Sequence, residues 1–375
     1  MKRFLPLEAF VLAVIILGCQ NETTPTPEAS HVYISGKVGT TSSNTVPVYW
    51  QDETLNYLPL SSGCTNGWAA GIAVDSSGSV YVSGGQWGAT SMNGYWKDST
   101  FFPLSLGSYT VCWYSGLAVD SAGNVWVTAT VGNSVPPTTS VYWKNSGDPS
   151  LLPDCTNLWG LGADTLGNVY FMGTVGGTSI NDPAPDYDWT PAYWKFGAGG
   201  MTGPTTLPLS GANTNGYAAS VACDASGNFY TCGGQWSTTS GGPVYWKNSG
   251  NPNELSMGAF SAYASWGLGI LALDASGKLY VVARIGPVDT PDTVVYWSGA
   301  TSDPATLPLG GNAYWAVWNT AGAVDSEGNF FVVGSVGSSS SATIPVYWKN
   351  GGNYVQLSMG PGNSFGEAGS VATEP

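Results

Sequence analysis

The sequence predicts an all-β fold: a seven-bladed β-propeller of four-stranded antiparallel blades, closed by the C-terminal strand joining the N-terminal blade. Three observations predict it. A hairpin-like unit recurs along the chain, a Tyr-Trp strand and a Leu-Pro-Leu-like strand accompany each copy, and the two chain ends carry complementary fragments of one unit. A repeat of about fifty residues has the size of a propeller blade, and all-β barrels and propellers are the usual exception to one domain per ~150 residues. Composition agrees: in 375 residues only 9% are charged, 13% are aromatic and 52 are glycine. That suits many short strands joined by Gly-rich turns rather than a disordered chain.

The hairpin reads AVDSSGSVYVSG from Ala73, AVDSAGNVWVTA from Ala118 and GADTLGNVYFMG from Gly162. It returns as ACDASGNFYTCG from Ala222, ALDASGKLYVVA from Ala272 and AVDSEGNFFVVG from Ala323. Each copy is an alternating apolar run, an Asp-x-x-Gly turn and a second alternating run. Period-2 patterning marks both arms as strands. The aspartate opens the turn by bonding its own backbone, and glycine supplies positive φ.

The third strand carries the Tyr-Trp pair at Tyr49-Trp50, Tyr95-Trp96, Tyr142-Trp143, Tyr193-Trp194, Tyr245-Trp246, Tyr296-Trp297 and Tyr347-Trp348. Neighbouring side chains on a strand point to opposite sides, so each pair faces both adjacent blades. The fourth strand is marked by Leu58, Leu104, Leu152, Leu207, Leu255, Leu307 and Leu357. The second strand repeats an aromatic at Tyr33, Tyr81, Trp126, Tyr170, Tyr230, Tyr280 and Phe331, which packing explains.

The ends complete the count. The mature chain opens on a second arm, HVYISG from His31, and closes on Ala368-Gly-Ser-Val-Ala-Thr373, which matches Ala70–Asp75 of a first arm. Joining them gives seven full blades and no open sheet edge.

The hairpin resembles the bacterial β-propeller repeat and, more loosely, the NHL repeat, as carried by Gly71-Ile-Ala-Val-Asp-Ser-Ser-Gly-Ser-Val-Tyr-Val82 and its relatives. The resemblance spans about residues 31–373 and implies that the first arm is the innermost strand of each blade. It implies an extracytoplasmic setting and says almost nothing about ligand.

Residues 1–18 read as a signal peptide. Lys2 and Arg3 precede an apolar run from Ala9 to Leu17, far short of the ~20 residues a membrane-spanning helix needs. The run ends in Ile16-Leu17-Gly18-Cys19, which resembles the lipobox of bacterial lipoproteins. That resemblance implies cleavage before Cys19 and acylation of it. Residues 19–30 form a polar tether and 31–375 the propeller. The expected location is the bacterial cell envelope, lipid-anchored, periplasmic or at the cell surface.

Removing residues 1–18 takes away two bases and one acid, so the net charge goes from −14 to −15. So acidic a chain argues against nucleic acid and against anionic headgroups; membrane contact is expected through acyl chains only. The chain is read as a monomer. Five lysines, Lys97, Lys144, Lys195, Lys247 and Lys349, share the slot after Trp and are expected to form a solvated, partly paired rim. The turn aspartates, Asp75, Asp120, Asp164, Asp224, Asp274 and Asp325, offer one carboxylate each where calcium needs several converging oxygens. No metal or other cofactor is expected.

The meander separates two faces. Connections between blades and between strands two and three emerge on one, the Asp and Lys turns on the other. Nine of the seventeen tryptophans fall outside the repeat positions, and all map to the first face. Trp68, Trp113, Trp159, Trp266, Trp315 and Trp318 are assigned to inter-blade connections; Trp87, Trp189 and Trp236 to connections between strands two and three. Tyr217 and Phe365 fill the inter-blade slot where two blades lack Trp. Trp68, Trp113, Tyr217 and Trp318 stand seven residues before the turn Asp or its near equivalent, near the channel mouth. An insertion from Ile180 to Trp189 adds Asp182, Asp186, Tyr187 and Asp188 to this face.

Such rings can cap the core between blades. They also suit the C–H faces of sugars or apolar peptide side chains. The ligand-binding candidates are Trp68, Trp87, Trp113, Trp159, Asp186, Asp188, Trp189, Tyr217, Trp236, Trp266, Trp315 and Trp318. A glycan-binding module is the first reading, and a scaffold for a protein partner in an envelope complex the alternative. A carboxylate glycosidase is the weakest: Asp154, Asp182, Asp186, Asp188, Asp289 and Asp292 have no distinguishing context, and the one histidine, His31, excludes a triad. No catalytic residue is assigned. Five cysteines follow Cys19, namely Cys64, Cys112, Cys155, Cys223 and Cys232, and no bridge among them is predicted.

Overall fold

The computed structural model describes residues 30–179, 187–237, 241–258, 270–285, 293–311, 314–316 and 321–374. Blade 1 begins with β1 (Val32–Thr41), β2 (Asn44–Gln51) and β3 (Thr54–Tyr57). Blade 2 holds β4 (Cys64–Val74), β5 (Val80–Gly88), β6 (Ser91–Lys97) and β7 (Thr100–Pro103). Blade 3 holds β8 (Val111–Val119), β9 (Val125–Gly132), β10 (Thr139–Lys144) and β11 (Ser150–Leu151). Blade 4 holds β12 (Asn157–Ala163), β13 (Val169–Val175), β14 (Thr190–Gly197) and β15 (Gly200–Thr206). Blade 5 holds β16 (Asn215–Cys223), β17 (Phe229–Trp236), β18 (Gly241–Lys247) and β19 (Asn253–Glu254). Blade 6 holds β20 (Ile270–Leu273), β21 (Leu279–Ile285), β22 (Thr293–Ser298) and β23 (Ala305–Thr306). In blade 7 the first strand is split into β24 (Tyr314–Ala316) and β25 (Gly322–Val324), followed by β26 (Phe330–Ser339), β27 (Ala342–Lys349) and β28 (Tyr354–Gln356). The last strand, β29 (Phe365–Thr373), returns to blade 1.

Seven antiparallel sheets result, and blade 1 has the order β29-β1-β2-β3. The innermost strands β29, β4, β8, β12, β16, β20 and β25 each lie against the next around a closed ring. The fold is therefore the seven-bladed propeller that the repeats predict. The closing register needs one correction. Val32 pairs Thr373 and Tyr33 pairs Ala372, as Val80 pairs Val74 and Tyr81 pairs Ala73. Thr373 thus corresponds to Val74, and the counterpart of Asp75 is Glu374. The chemistry agrees: Tyr33 donates its hydroxyl to Glu374 Oε1 at 3.0 Å, as Tyr81 does to Asp75 Oδ2 at 2.9 Å.

Between blades the core is built from the repeated side chains. The seven Tyr-Trp tryptophans are at most 1% exposed, and the seven strand-four leucines at most 5%. Each of these indoles donates its N–H, at 2.7–2.9 Å, to a backbone carbonyl of the segment leaving the preceding blade. Trp50 donates to Ser358 O, so the closing interface carries the same bond as the other six. The paired tyrosines face the other way: Tyr142 packs on Phe171, and Tyr193 on Phe229, in the following blade.

The Asp turns form as the sequence requires. Asp75 Oδ1 accepts the N–H groups of Ser77 and Ser79, and Gly78 adopts φ +80°. Asp120 Oδ1 accepts from Ala122 and Asn124, while Trp126 donates its indole N–H to Oδ2. These bonds occupy the carboxylates as turn formers. The lysine rim differs from expectation. Each of the five lies over the second-strand aromatic of its own blade, Lys97 over Tyr81 at 5.1 Å and Lys144 over Trp126 at 5.0 Å. The cause is register: Tyr81 faces Lys97 and Trp126 faces Lys144 across the strands. The rim is a set of cation–π contacts.

Candidate functional site

Most of the described candidates stand on strands, which corrects their assignment to connections, whereas Trp189 lies in the connection before β14 as expected. Trp68 lies within β4, Trp113 within β8, Trp159 within β12, Tyr217 within β16 and Trp315 within β24; Trp87 and Trp236 belong to β5 and β17. The physical reason is a β-bulge that recurs in the first strand of the blade. The register shifts between Ala69 and Ile72, Tyr114 and Gly116, Leu158 and Gly160, and Ala218 and Ser220. Pairing resumes beyond the bulge, so the ladder continues to the face instead of ending in a loop. Trp159 is itself the bulged residue of blade 4. Asp186, Trp266, Trp318 and Cys19 lie outside the described residues, as do Asp182, Asp289 and Asp292.

Blades 4 and 5 bring four of the candidates together. Trp189 is 1% exposed and donates its indole N–H to Thr178 O at 2.8 Å. Its own carbonyl accepts the N–H of Gly216 in blade 5 at 2.8 Å. Around it stand Trp159 at 5.7 Å, Tyr187 at 5.0 Å and Trp236 at 6.2 Å, all edge to face. Tyr217 closes the group, 5.3 Å from Trp159 and 6.1 Å from Trp236. Edge-to-face contacts at these spacings are attractive and fix ring orientation. Trp159, Tyr217 and Trp236 are half-buried, and Tyr187 and Asp188 are exposed. Trp189 thus supports the group from below, while its neighbours present ring surface.

Other candidates stand apart from this group. Trp113 is exposed, at 44%. Trp68 and Tyr217 are each paired across the sheet with a glycine, Gly85 and Gly234. A Cβ at Gly234 would come within 2.8 Å of the Tyr217 ring, so the glycine provides the bed on which the ring lies. Phe365, at 1% exposure, is a core residue.

A polar feature on the same face went unread in the sequence. At the end of the second strand, blades 1, 3, 4 and 7 carry the valines Val38, Val131, Val175 and Val336. Blades 2 and 5 carry glutamine there, within Gly84-Gly85-Gln86-Trp87 and Gly233-Gly234-Gln235-Trp236. Both glutamines are 2% exposed. Gln86 Oε1 accepts the Ser61 N–H at 2.7 Å and its amide donates to Ser61 Oγ at 2.7 Å. Gln235 makes the same two bonds with Ser210. The doubled GGQW motif was the available signal.

Nucleophilic and metal chemistry find little support here. Burial pushes the thiols of Cys155, Cys223 and Cys232 up to about 12, so they stay protonated at neutral pH. Cys223 faces Phe229 and Cys232 faces Ser220, so these two cysteines are not opposite one another. Among the described residues no three His, Cys, Asp or Glu side chains are grouped to share an ion. Asp154 and Asp188, the described members of the carboxylate set, are both exposed and belong to the segment leaving blade 3 and the blade 4 loop.

No family model matches the chain, and no curated protein matches it. Solved structures are similar at low identity. AofleA from Arthrobotrys oligospora is 10% identical with a TM-score of 0.47, over 81% of this chain and 88% of that one. TolB from Acinetobacter baumannii is 10% identical with a TM-score of 0.43, over 90% and 81%. A fucose lectin from Kordia zhangzhouensis, in complex with methyl-fucoside, is 15% identical with a TM-score of 0.28, over 36% and 94%. Similarity of this order assigns neither ligand nor activity.

Proposed function

We propose that the chain is a membrane-anchored, extracytoplasmic binding protein that takes glycans on its aromatic-rich face. One observation carries the reading: Trp159, Tyr217, Trp236 and Tyr187 are oriented by edge-to-face contacts on or around the buried Trp189, yet keep accessible surface. A folded core needs no ring surface left open at one end. Rings held in place before binding lose little freedom when a sugar stacks on them. The chain beside them is rich in hydroxyl and amide residues, Thr156-Asn157 before Trp159 and Asn213-Thr214-Asn215 before Tyr217, which suits a polyol better than an apolar peptide. Attachment to the envelope is through acyl chains on Cys19.

The test is retention on a printed glycan array and calorimetry with the best-retained oligosaccharide. Trp159→Ala combined with Trp236→Ala is expected to weaken binding about tenfold or more, about 1.4 kcal/mol or more. Full binding by that variant overturns the site. Co-purification of one envelope protein, with no sugar retained, would favour the scaffold reading. Cys19→Ser is expected to move the protein from the membrane to the soluble fraction.

A further inference from the structure

Blades 2 and 5 are near copies at this face, and they differ at the residues around a cavity in blade 5. Both share the Thr-Asn-Gly-aromatic entry, Thr65-Asn66-Gly67-Trp68 and Thr214-Asn215-Gly216-Tyr217, together with the GGQW motif and the Gln–Ser pair. In blade 2, Gln86 faces Met92 across the sheet, and the Met92 sulfur lies 4.0 Å from the Gln86 amide nitrogen. In blade 5, Gln235 faces Gly242. One strand further out, Gly94 of blade 2 faces Pro103, whereas Val244 of blade 5 faces Glu254. Blade 5 therefore lacks the side chain that covers the glutamine and gains a carboxylate beside it.

A cavity of about 670 Å³ occupies the resulting space, lined by Gln235, Asn213, Gly242, Glu254, Pro243 and Met257 among others. That volume lies in the ~300–1,000 Å³ range of small-ligand sites. Glu254 Oε1 accepts the Ser210 hydroxyl at 2.7 Å and the Gln235 amide at 3.4 Å. Oε2 has no protein partner among the described residues and stays available as an acceptor. No cation lines the cavity among the described residues, so an anionic ligand would meet Glu254 uncompensated. Acceptor and amide groups face an apolar wall of Pro243 and Met257.

We infer that this blade 5 cavity is a subsite for one or two units of a neutral saccharide. Glu254 Oε2 accepts from the sugar hydroxyls, and Met257 and Pro243 cover a C–H face. The inference rests on the glycan reading above and gives it a second, polar contact site. Both sites sit on β17, where the successive residues Gln235 and Trp236 point to opposite sides of the strand.

The test copies blade 2. A Cβ at Gly242 meets nothing within 4 Å, and its backbone is not in the left-handed region, so Gly242→Met fills the cavity without disturbing the fold. The full chain, Gly242→Met and Glu254→Gln are compared on an array of neutral oligosaccharides, by calorimetry with the best-retained member, and by thermal unfolding. Gly242→Met is expected to weaken binding about tenfold or more, and Glu254→Gln several-fold, each with an unchanged melting temperature. If the full chain binds and both variants match it within about twofold, the cavity is not a subsite, while the aromatic site stands. If the full chain retains no neutral saccharide, the glycan reading falls and the cavity assignment falls with it.

Discussion

A turn carboxylate in this propeller holds more of the structure than its size suggests. Asp120 accepts two backbone N–H bonds and the Asn124 amide on Oδ1, and the Trp126 indole on Oδ2, while only 7% exposed. Its burial disfavours the charge, but these bonds outweigh that and hold the carboxyl below its usual range. Asp75 and Asp274 shift the same way against the same opposing burial, and Asp224 does so with its Asn228 bond leading. A carboxyl whose native pKa is depressed binds protons more readily when unfolded. Its stabilisation is complete above the unfolded value of about 3.9 and is lost as pH falls through the lower native value. Urea unfolding should therefore show a plateau near neutrality and a decline below about pH 4. Asp120→Asn should lower stability at pH 7 by roughly 1.5–3 kcal/mol, the range for bonds to charged groups, and flatten the acid limb. An acid limb of unchanged steepness would mean that Asp120 is not among the groups that set it. The Asp-x-x-Gly spacing made these turns legible in sequence. The acceptor role toward Tyr81 or Trp126 was not, because it depends on where the second strand turns its aromatic.

At the scale of the strand, the bulge explains most of what the sequence left unread. Period-2 patterning identifies strands only while the pairing stays regular. The extra residue at Trp159, or at Ala219 in blade 5, breaks the alternation and makes the upper strand look like a connection. Membership of the aromatic face could be read, because chain direction alone fixes it; the clustering of Trp159, Trp189, Tyr217 and Trp236 could not. The bulge also explains a small residue at one repeated position. A Cβ at Gly173 would lie 2.0 Å from Asn157 O, and one at Gly84 2.1 Å from Trp68 O, where the partner strand closes in. Blade 3 carries Ala129 in that slot, fully buried and opposite Tyr114. Gly173→Ala should thus force the backbones apart and cost about 1–3 kcal/mol or more. The reverse change in blade 3, Ala129→Gly, should cost about 0.5–1 kcal/mol. Equal losses in denaturant midpoints would show that the slot is not governed by this close approach.

At the scale of the whole molecule, closure depends on a strand that arrives last. The matching ends at His31 and Ala368 make the seven-blade count legible in the sequence, whereas the register, one residue away from the sequence match, depends on the Tyr33–Glu374 bond. β29 pairs β1 from Val32–Thr373 to Gly39–Phe365 and fills the innermost place of blade 1, against β25 and β4. It buries Phe365, Ala368 and Val371 and carries the Lys37–Glu367 ion pair at 3.0 Å. Losing a buried Phe and Val alone costs about 4–8 kcal/mol, comparable with the ~5–15 kcal/mol net stability of a domain. Removing β29 also leaves the β1 edge unpaired, an invitation to intermolecular pairing. A chain ending at residue 363 should therefore lose its cooperative thermal transition and self-associate in size-exclusion chromatography. A synthetic peptide of residues 364–375, added in trans, should restore the transition, because the vacant slot has a defined register and two neighbours. A truncated chain that melts like the full one would mean that the ring does not need its last strand. Failure of the peptide to rescue would mean that closure must occur during folding, with the strand covalently attached.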